Sequence, residues 1–185
     1  MSLLATALDD KQIYIVISQT GTILSKILKI ITKKEYNHAS ITTFRDLSYI
    51  YSFGRKHPYN PFWAGFVTES KNFGTFKRFR NTKVIVLSLK VDDEVYNNIN
   101  ERIENMLINK AEYKYNYLGL YLAALKIHFK HKNRYYCSEF VGDILKQNNI
   151  EGSQNLEKIV HPMSFLSIPD VETVYTGKLC DYIVS

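Results

Sequence analysis

Short runs of apolar residues predict a set of β-strands in the first half of the chain. The run IYIVI, Ile13 to Ile17, is β-branched and is typical of a buried strand. Two further strands, HASITTF and YIYSF, flank RDLS, which has the composition of a hairpin turn. FVTES and KVIVLSLKV complete the predicted strands. The intervening segment GRKHPYNPFWAG contains two prolines and two glycines, so we predict a loop there.

Apolar residues at helical spacing predict four helices. The first starts at Thr22 and carries isoleucines on one side and lysines on the other. Asp92 is expected to cap the second. YNYLGLYLAALKIHF is predicted to form a well-buried third helix, and SEFVGDILKQNN a fourth. The tail after Gly152 is predicted to be irregular, because two prolines interrupt it. Strands clustered between helices make the predicted class α+β.

Composition and charge are those of a globular domain. Hydrophobic residues make up 45% and charged residues 23% of the 185 positions, so residues 1–185 are expected to form one domain with a real core. The net charge of +6 favours contact with an anionic surface, such as lipid headgroups or a wall polymer, although a solvated basic face is the alternative. The segment KNFGTFKRFR alternates basic and aromatic residues, which fits such a surface, a single-strand binder or a half-buried strand. We predict no specific nucleic-acid interaction.

The two cysteines, Cys137 and Cys180, show no CxxC spacing, so neither a disulfide framework nor a structural zinc site is expected. His128 and His131 lack further ligands that would complete a tetrahedral set, and no metal or other cofactor is predicted. The N-terminal residues do not have the pattern of a signal peptide, and no stretch reaches the roughly 18 apolar residues that a membrane span needs. We therefore expect a reducing, cytoplasmic location.

Two residues could perform nucleophilic chemistry together. Cys137 precedes the fourth predicted helix, where unpaired N–H groups favour a thiolate and could hold an oxyanion. His38 opens a predicted strand, which is a rigid platform for a general base. A buried structural cysteine and a structural histidine are the alternatives, because spacing alone does not pair them.

Three segments carry a resemblance to a known family. IYIVISQTGTILSKILKIITKKEYNHASI, YSFGRKHPYNPFWAGFVTES and YYCSEFVGDIL resemble the permuted papain-like branch of the NlpC/P60 superfamily, in particular its bacterial YycO and YiiX type. The resemblance covers roughly residues 12–165. In that branch the histidine strand precedes the cysteine helix, as it does here. The resemblance implies a small antiparallel sheet or half-barrel packed against helices.

The resemblance also implies an activity. Cys137 would be the nucleophile and His38 the base of a cysteine hydrolase or amidase that cleaves an amide or ester through an acyl-enzyme. The substrate would be a small molecule, a peptide or a lipid acyl group. A lipid acyltransferase is an alternative, and so is a noncatalytic binding module that uses the basic, aromatic surface for an anionic partner.

A third residue should orient the imidazole ring. Relatives often have a polar residue, commonly Glu, on the strand after the histidine strand, and here that strand offers Ser52. We predict Ser52 as the third catalytic residue, with Glu69 in FVTES as the alternative. The long aromatic segment SFGRKHPYNPFWAGF is expected to border the substrate cleft beside His38, because loops of that length tend to be functional.

Overall fold

A computed structural model describes residues 11–19, 35–57 and 60–184 of the chain. The strands are β1 (Lys11–Gln19), β2 (His38–Thr42), β3 (Ile50–His57), β4 (Asn60–Glu69), β5 (Lys83–Val91), β6 (Lys114–Tyr115), β7 (Arg134–Tyr135) and β8 (Glu172–Lys178). The helices are α1 (Gly74–Arg78), α2 (Asp93–Ile108), α3 (Tyr117–Ala124) and α4 (Cys137–Gln147). Short 3-10 turns span Ser153–Asn155, Pro162–Ser167 and Leu179–Asp181. The helix predicted from Thr22 lies outside the described residues.

The described strands form one open sheet in the order β7-β6-β4-β3-β2-β1-β5-β8. Neighbouring strands run antiparallel, except that β6 and β7 are parallel. The class is therefore α+β, as predicted. The predicted cap of α2 is also confirmed, because the Asp92 carboxylate accepts a hydrogen bond from Val95 N–H at 2.7 Å.

The sheet buries apolar side chains on both faces. On one face, the odd-numbered isoleucines of β1 pack with side chains of α4 and the rings of Phe53 and Phe66. On the other face, Tyr14 and Val16 of β1 pack with Phe76 of α1 in a smaller cluster. This division follows from the period of two in a strand, and it explains why IYIVI is apolar at every position.

The predicted loop GRKHPYNPFWAG is wrong for most of its length, because β3 continues to His57 and β4 begins at Asn60. The two strands pair antiparallel, with Gly54 opposite Gly65 and an irregularity between Arg55 and His57. The glycines are compatible with this pairing because they permit close approach. A Cβ atom at Gly65 would lie 3.0 Å from the carbonyl oxygen of Tyr113.

Three other segments also differ from the predictions. KNFGTFKRFR contains the short helix α1, with Phe76 buried, instead of a half-buried strand. The tail contains strand β8, whose side chains are mostly exposed and therefore show no apolar alternation. The helix predicted to be well buried is the short helix α3, in which only Gly119 is buried. Within the described ranges, no helix has the length and apolar character needed to cross a bilayer.

Candidate active site

His38 is the first residue of β2, next to the centre of the sheet. Side chains alternate along this strand: Ala39 and Ile41 belong to the cluster on the α4 face, so His38 and Ser40 point to the opposite face. The ring of His38 lies edge-on to Phe76, with centroids 6.4 Å apart. The His38 side chain is 16% exposed, so little bulk water surrounds the imidazole.

A carboxylate and a hydroxyl engage one nitrogen of this ring. His38 Nε2 lies 3.0 Å from Glu69 Oε2, and Glu69 ends strand β4. The Ser40 hydroxyl donates to the same carboxylate oxygen at 2.9 Å and lies 3.3 Å from Nε2. A carboxylate oxygen accepts hydrogen bonds and does not donate them, so Nε2 carries the proton of this contact. The Nδ1 atom is then the nitrogen left to accept a proton from a nucleophile.

Ser52 does not occupy the predicted position beside the ring. Its hydroxyl is fully buried and donates to the carbonyl oxygen of Ala39 at 2.6 Å. Glu69, the alternative, makes the contact with His38 instead. Both residues lie on the His38 face of the sheet, since Ile50 pairs with Glu69 and Ser52 follows Ile50 by two positions. The difference is that the Ser52 hydroxyl is bonded to the backbone of β2, which leaves the ring to Glu69.

Cys137 is the first residue of α4, as the prediction of a helix-start thiol requires. Tyr136 precedes the helix in an extended conformation, and its N–H donates to Glu139 Oε2 at 3.2 Å. The Ser138 hydroxyl donates to the carbonyl of Val160 at 2.6 Å, which ties the first turn to the following segment. The thiol therefore sits on a helix end that is held at several points.

The sheet opens where this helix end meets it. Strands β2 and β3 are paired at Ile41 and Tyr51, but their register does not extend to the first residues of β2. Cys137 approaches the backbone at this end of β2. The Cys137 Sγ atom lies 3.8 Å from the carbonyl oxygen of Asn37, and the N–H of Ala39 hydrogen bonds to the sulfur. The thiol also interacts with the His38 ring here, and this interaction raises the pKa of His38 and lowers that of Cys137.

The electrostatics of the pair favour charge separation. Burial alone would lower the pKa of His38, but the negative charge of Glu69 and hydrogen bonds with Cys137 and Glu69 hold it well above its usual value. Burial alone would raise the pKa of the Cys137 thiol, yet its hydrogen bond with His38, the charge of that ring and two backbone N–H groups lower it. Both directions stabilise a thiolate beside an imidazolium.

Two residues of the site were missed by the sequence reasoning. Ser40 could have been found, because it follows His38 by two positions and a strand places such residues on the same face. Tyr115 has no comparable signal. Burial is the main cause of its strongly raised pKa, followed by the negative charges of nearby groups, Cys137 first among them. Tyr115 therefore keeps its hydroxyl proton close to the sulfur.

Other predicted features lie around this centre or away from it. The start of the predicted cleft segment borders His38, since a Cβ atom at Gly54 would lie 3.6 Å from its Cε1. Cys180 is exposed in the turn Leu179–Asp181, although its segment looks apolar in the sequence. His131 is exposed, and its Nδ1 atom donates to the carbonyl of Lys132 at 2.9 Å. Among the described residues, no cluster of three or more histidine, cysteine or acidic side chains could hold a metal ion.

Comparison with known proteins assigns neither a family nor a function to this chain. No protein-family model matches the chain, and neither a curated protein nor a solved structure is significantly similar to it. The arrangement of Cys137, His38 and Glu69 is therefore the basis for assigning a function to the protein.

Proposed function

We propose that the protein is a cysteine hydrolase or amidase whose nucleophile is Cys137. The observation that carries this proposal is the chain of contacts from the Cys137 thiol to the His38 ring and from His38 Nε2 to Glu69, 3.0 Å away. A nucleophile, a base and a group that orients the base are the parts that covalent catalysis needs. A buried structural cysteine would not need a lowered pKa or an imidazole held by a carboxylate.

The chemistry follows from the protonation states. The Cys137 thiolate attacks the carbonyl carbon of an amide or ester, and a C–S bond forms. The His38 imidazolium gives its proton to the leaving nitrogen or oxygen as the scissile bond breaks. His38 then takes a proton from water, which attacks the thioester and releases the acid and Cys137. If another nucleophile replaces water, the same site performs acyl transfer.

Backbone donors and a tyrosine surround the sulfur. The N–H groups of Ala39 and Ser138 bond to Cys137, and the phenol of Tyr115 stays protonated nearby. In this proposal the donors at the start of α4 stabilise the oxyanion of the tetrahedral intermediate. Glu69 keeps the Nε2 proton in place, so that Nδ1 faces the thiol.

The permuted papain-like arrangement of the NlpC/P60 superfamily is the fold we propose for this site. The order of the functional residues supports it, because the His38 strand comes first and the Cys137 helix follows late in the chain. Both cysteines are free thiols, which suits the reducing, cytoplasmic setting that we propose.

The test is acylation of Cys137 by small amide and ester substrates. The intact mass of the protein should increase by one acyl group with an activated ester, and the mass should return as the thioester hydrolyses. Cys137→Ala should abolish both the adduct and turnover, whereas Cys180→Ala should retain both. Turnover that survives in Cys137→Ala, or an adduct found on Cys180 alone, would overturn the proposal.

A further inference from the structure

Helix α3 presents an apolar surface that the fold leaves uncovered. A helix of the composition YLGLYLAA is normally buried on all sides, but only Gly119 is buried in α3. Tyr121 is 65% exposed and Leu118 is 54% exposed. We define the α3 surface as the exposed side chains Trp63, Tyr117, Leu118, Tyr121, Leu125 and Ile127. Contiguous exposed apolar side chains of this kind mark contact sites.

The α3 surface begins beside the candidate active site. The ring of Tyr117 packs on that of Tyr115, with centroids 4.7 Å apart, and Tyr115 pairs in the sheet with Tyr135, two residues before Cys137. The N–H of Asn116, which caps α3, donates to the carbonyl of Tyr135 at 3.0 Å. The start of α3 is thus joined to the strand that leads directly into Cys137.

Trp63 belongs to the same region. The backbone of Ala64, its neighbour in β4, hydrogen bonds with Tyr117. Gly65 pairs with Lys114 of β6, one strand before α3. Trp63 is 59% exposed, and it is the single tryptophan of the chain.

The charges next to the α3 surface identify its partner. From Tyr113 to Ser138 the sequence contains no acidic residue. Three lysines of this stretch, Lys114, Lys126 and Lys132, are exposed, whereas the exposed Lys130 forms an ion pair with Asp143. Tyrosine and tryptophan prefer the level of lipid headgroups, and nearby lysines are attracted by anionic lipids. An apolar patch for a second copy or a protein partner would not require this one-sided positive charge.

We propose that the α3 surface docks on an anionic lipid bilayer. The apolar side chains enter the interfacial region, while Lys114, Lys126 and Lys132 contact the headgroups. Docking brings the start of α3, which is joined to the strand that precedes Cys137, to the membrane surface. Binding of this kind does not require catalysis, so the proposal stands independently of the proposed hydrolase activity.

Trp63 provides a local probe for the test. The full-length protein is mixed with vesicles of phosphatidylcholine alone or of phosphatidylcholine with phosphatidylglycerol, and binding is measured by flotation. With the anionic vesicles, the emission of Trp63 should shift to the blue, and lipids brominated on the acyl chain should quench it. High salt should weaken the binding, since exposed charges are screened.

Matched variants locate the contact. Leu118→Ser, Tyr121→Ser and Leu125→Ser combined should reduce binding by about tenfold or more, because each removes apolar surface from the interface. The control combines Ile108→Ser and Ile183→Ser, two apolar residues outside the α3 surface that are still more exposed, and should bind like the unchanged protein. Circular dichroism checks the fold of each variant. If the triple variant does not fold, the single variant Tyr121→Ser is used to measure the loss of binding.

Three results would overturn the proposal. The first is equal binding to neutral and anionic vesicles, or none to either. The second is undiminished binding by the folded α3 variants, which would place the contact elsewhere in the chain. The third is an emission of Trp63 that is already blue-shifted without vesicles and does not change when they are added. It would mean that a second copy or another segment already covers the α3 surface.

Discussion

Glu69 is the residue on which the charge state of the site depends. Its carboxylate lies 3.0 Å from His38 Nε2 and is 11% exposed, so solvent screens the interaction only weakly. Ser40 donates to the same oxygen and holds the carboxylate toward the ring. A neutral hydroxyl in this position would orient the imidazole without stabilising the imidazolium. The ring contact is made by Glu69 and not by the predicted Ser52, and the negative charge of Glu69 favours an imidazolium at His38 and hence a thiolate at Cys137.

Glu69→Gln tests this role. The amide keeps the size of the side chain but removes its charge, so the pKa of His38 should fall and the thiolate of Cys137 should be less stable. A hydrogen bond between charged groups contributes about 1.5–3 kcal/mol, and we expect acylation by an activated ester to slow by roughly ten- to a hundredfold. Stopped-flow measurement of the acyl-enzyme, together with its pH profile, gives the effect. An unchanged acylation rate and an unchanged pH profile would show that Glu69 does not support the reaction of Cys137.

Ser52→Ala is the matched control for the orienting position, and it should affect a different property. The lost hydroxyl leaves the carbonyl of Ala39 without its 2.6 Å hydrogen bond in a fully buried position. We expect the free energy of unfolding to fall by about 1–3 kcal/mol, whereas the pH profile of acylation stays the same. Denaturant unfolding measures the first quantity. A shifted pH profile without a loss of stability would contradict this expectation and would indicate that Ser52 contacts the His38 ring.

Among the elements, α4 and β2 define the site, and both could be predicted from the sequence. The apolar spacing of SEFVGDILKQNN predicts a helix directly after Cys137, and α4 begins one residue earlier, at Cys137 itself. HASITTF predicts a strand that starts at His38, as β2 does. The choice between Ser52 and Glu69 could not be made in the same way. It depends on the register of β3 against β4 and on the separation of β2 from β3, which are properties of paired strands and have no local pattern.

Helix α3 is predicted to be buried, but Gly119 is its only buried residue. An apolar segment predicts burial, because apolar surface is usually removed from water. Here the helix is short, and its exposed side chains extend over the edge of the sheet instead of entering the core. Local hydrophobicity cannot distinguish a core helix from a contact surface, since both have the same composition.

A charged cluster fixes α4 to its surroundings. The Asp143 carboxylate accepts from Arg102 of α2 at 2.8 Å and from Lys130 at 2.7 Å. The hydroxyl of Tyr135, just before the helix, donates to it at 3.3 Å. Burial would raise the pKa of Asp143, but the hydrogen bonds from Lys130 and Arg102 outweigh it and lower the pKa. The cluster thus joins α2, the segment around Lys130 and strand β7 to the middle of α4.

Asp143→Asn should destabilise the fold in a pH-dependent way. A depressed pKa in the folded state adds stability above the ordinary pKa of an aspartate, near 3.9, and that stability is lost as the pH falls through the folded pKa. Because Arg102 stays largely buried, we expect a loss of about 3 kcal/mol at neutral pH that shrinks in acid. Urea unfolding across this range measures it, with the exposed Glu157→Gln as control. A pH-independent loss would contradict the assignment.

At the scale of the whole molecule, the sheet order brings together residues that are distant in the chain. Strands β2 and β4 are separated by β3, and α4 comes from the last third of the sequence, yet their side chains meet at one opening of the sheet. The sequence resemblance led us to pair Cys137 with His38, whereas their spacing alone gave no reason to do so. The architecture supplies the physical reason, because the helix end lies against the backbone at the start of β2.

The pH dependence of Cys137 alkylation tests the central claim most directly. Iodoacetamide is reacted with Cys180→Ser, which leaves one thiol, and with the same protein carrying His38→Ala. With His38 present, the rate should follow a pKa below that of an ordinary thiol, since the imidazolium stabilises the thiolate. Without His38, burial should dominate and the apparent pKa should rise. The same thiol pKa in both proteins would contradict the thiolate–imidazolium pair.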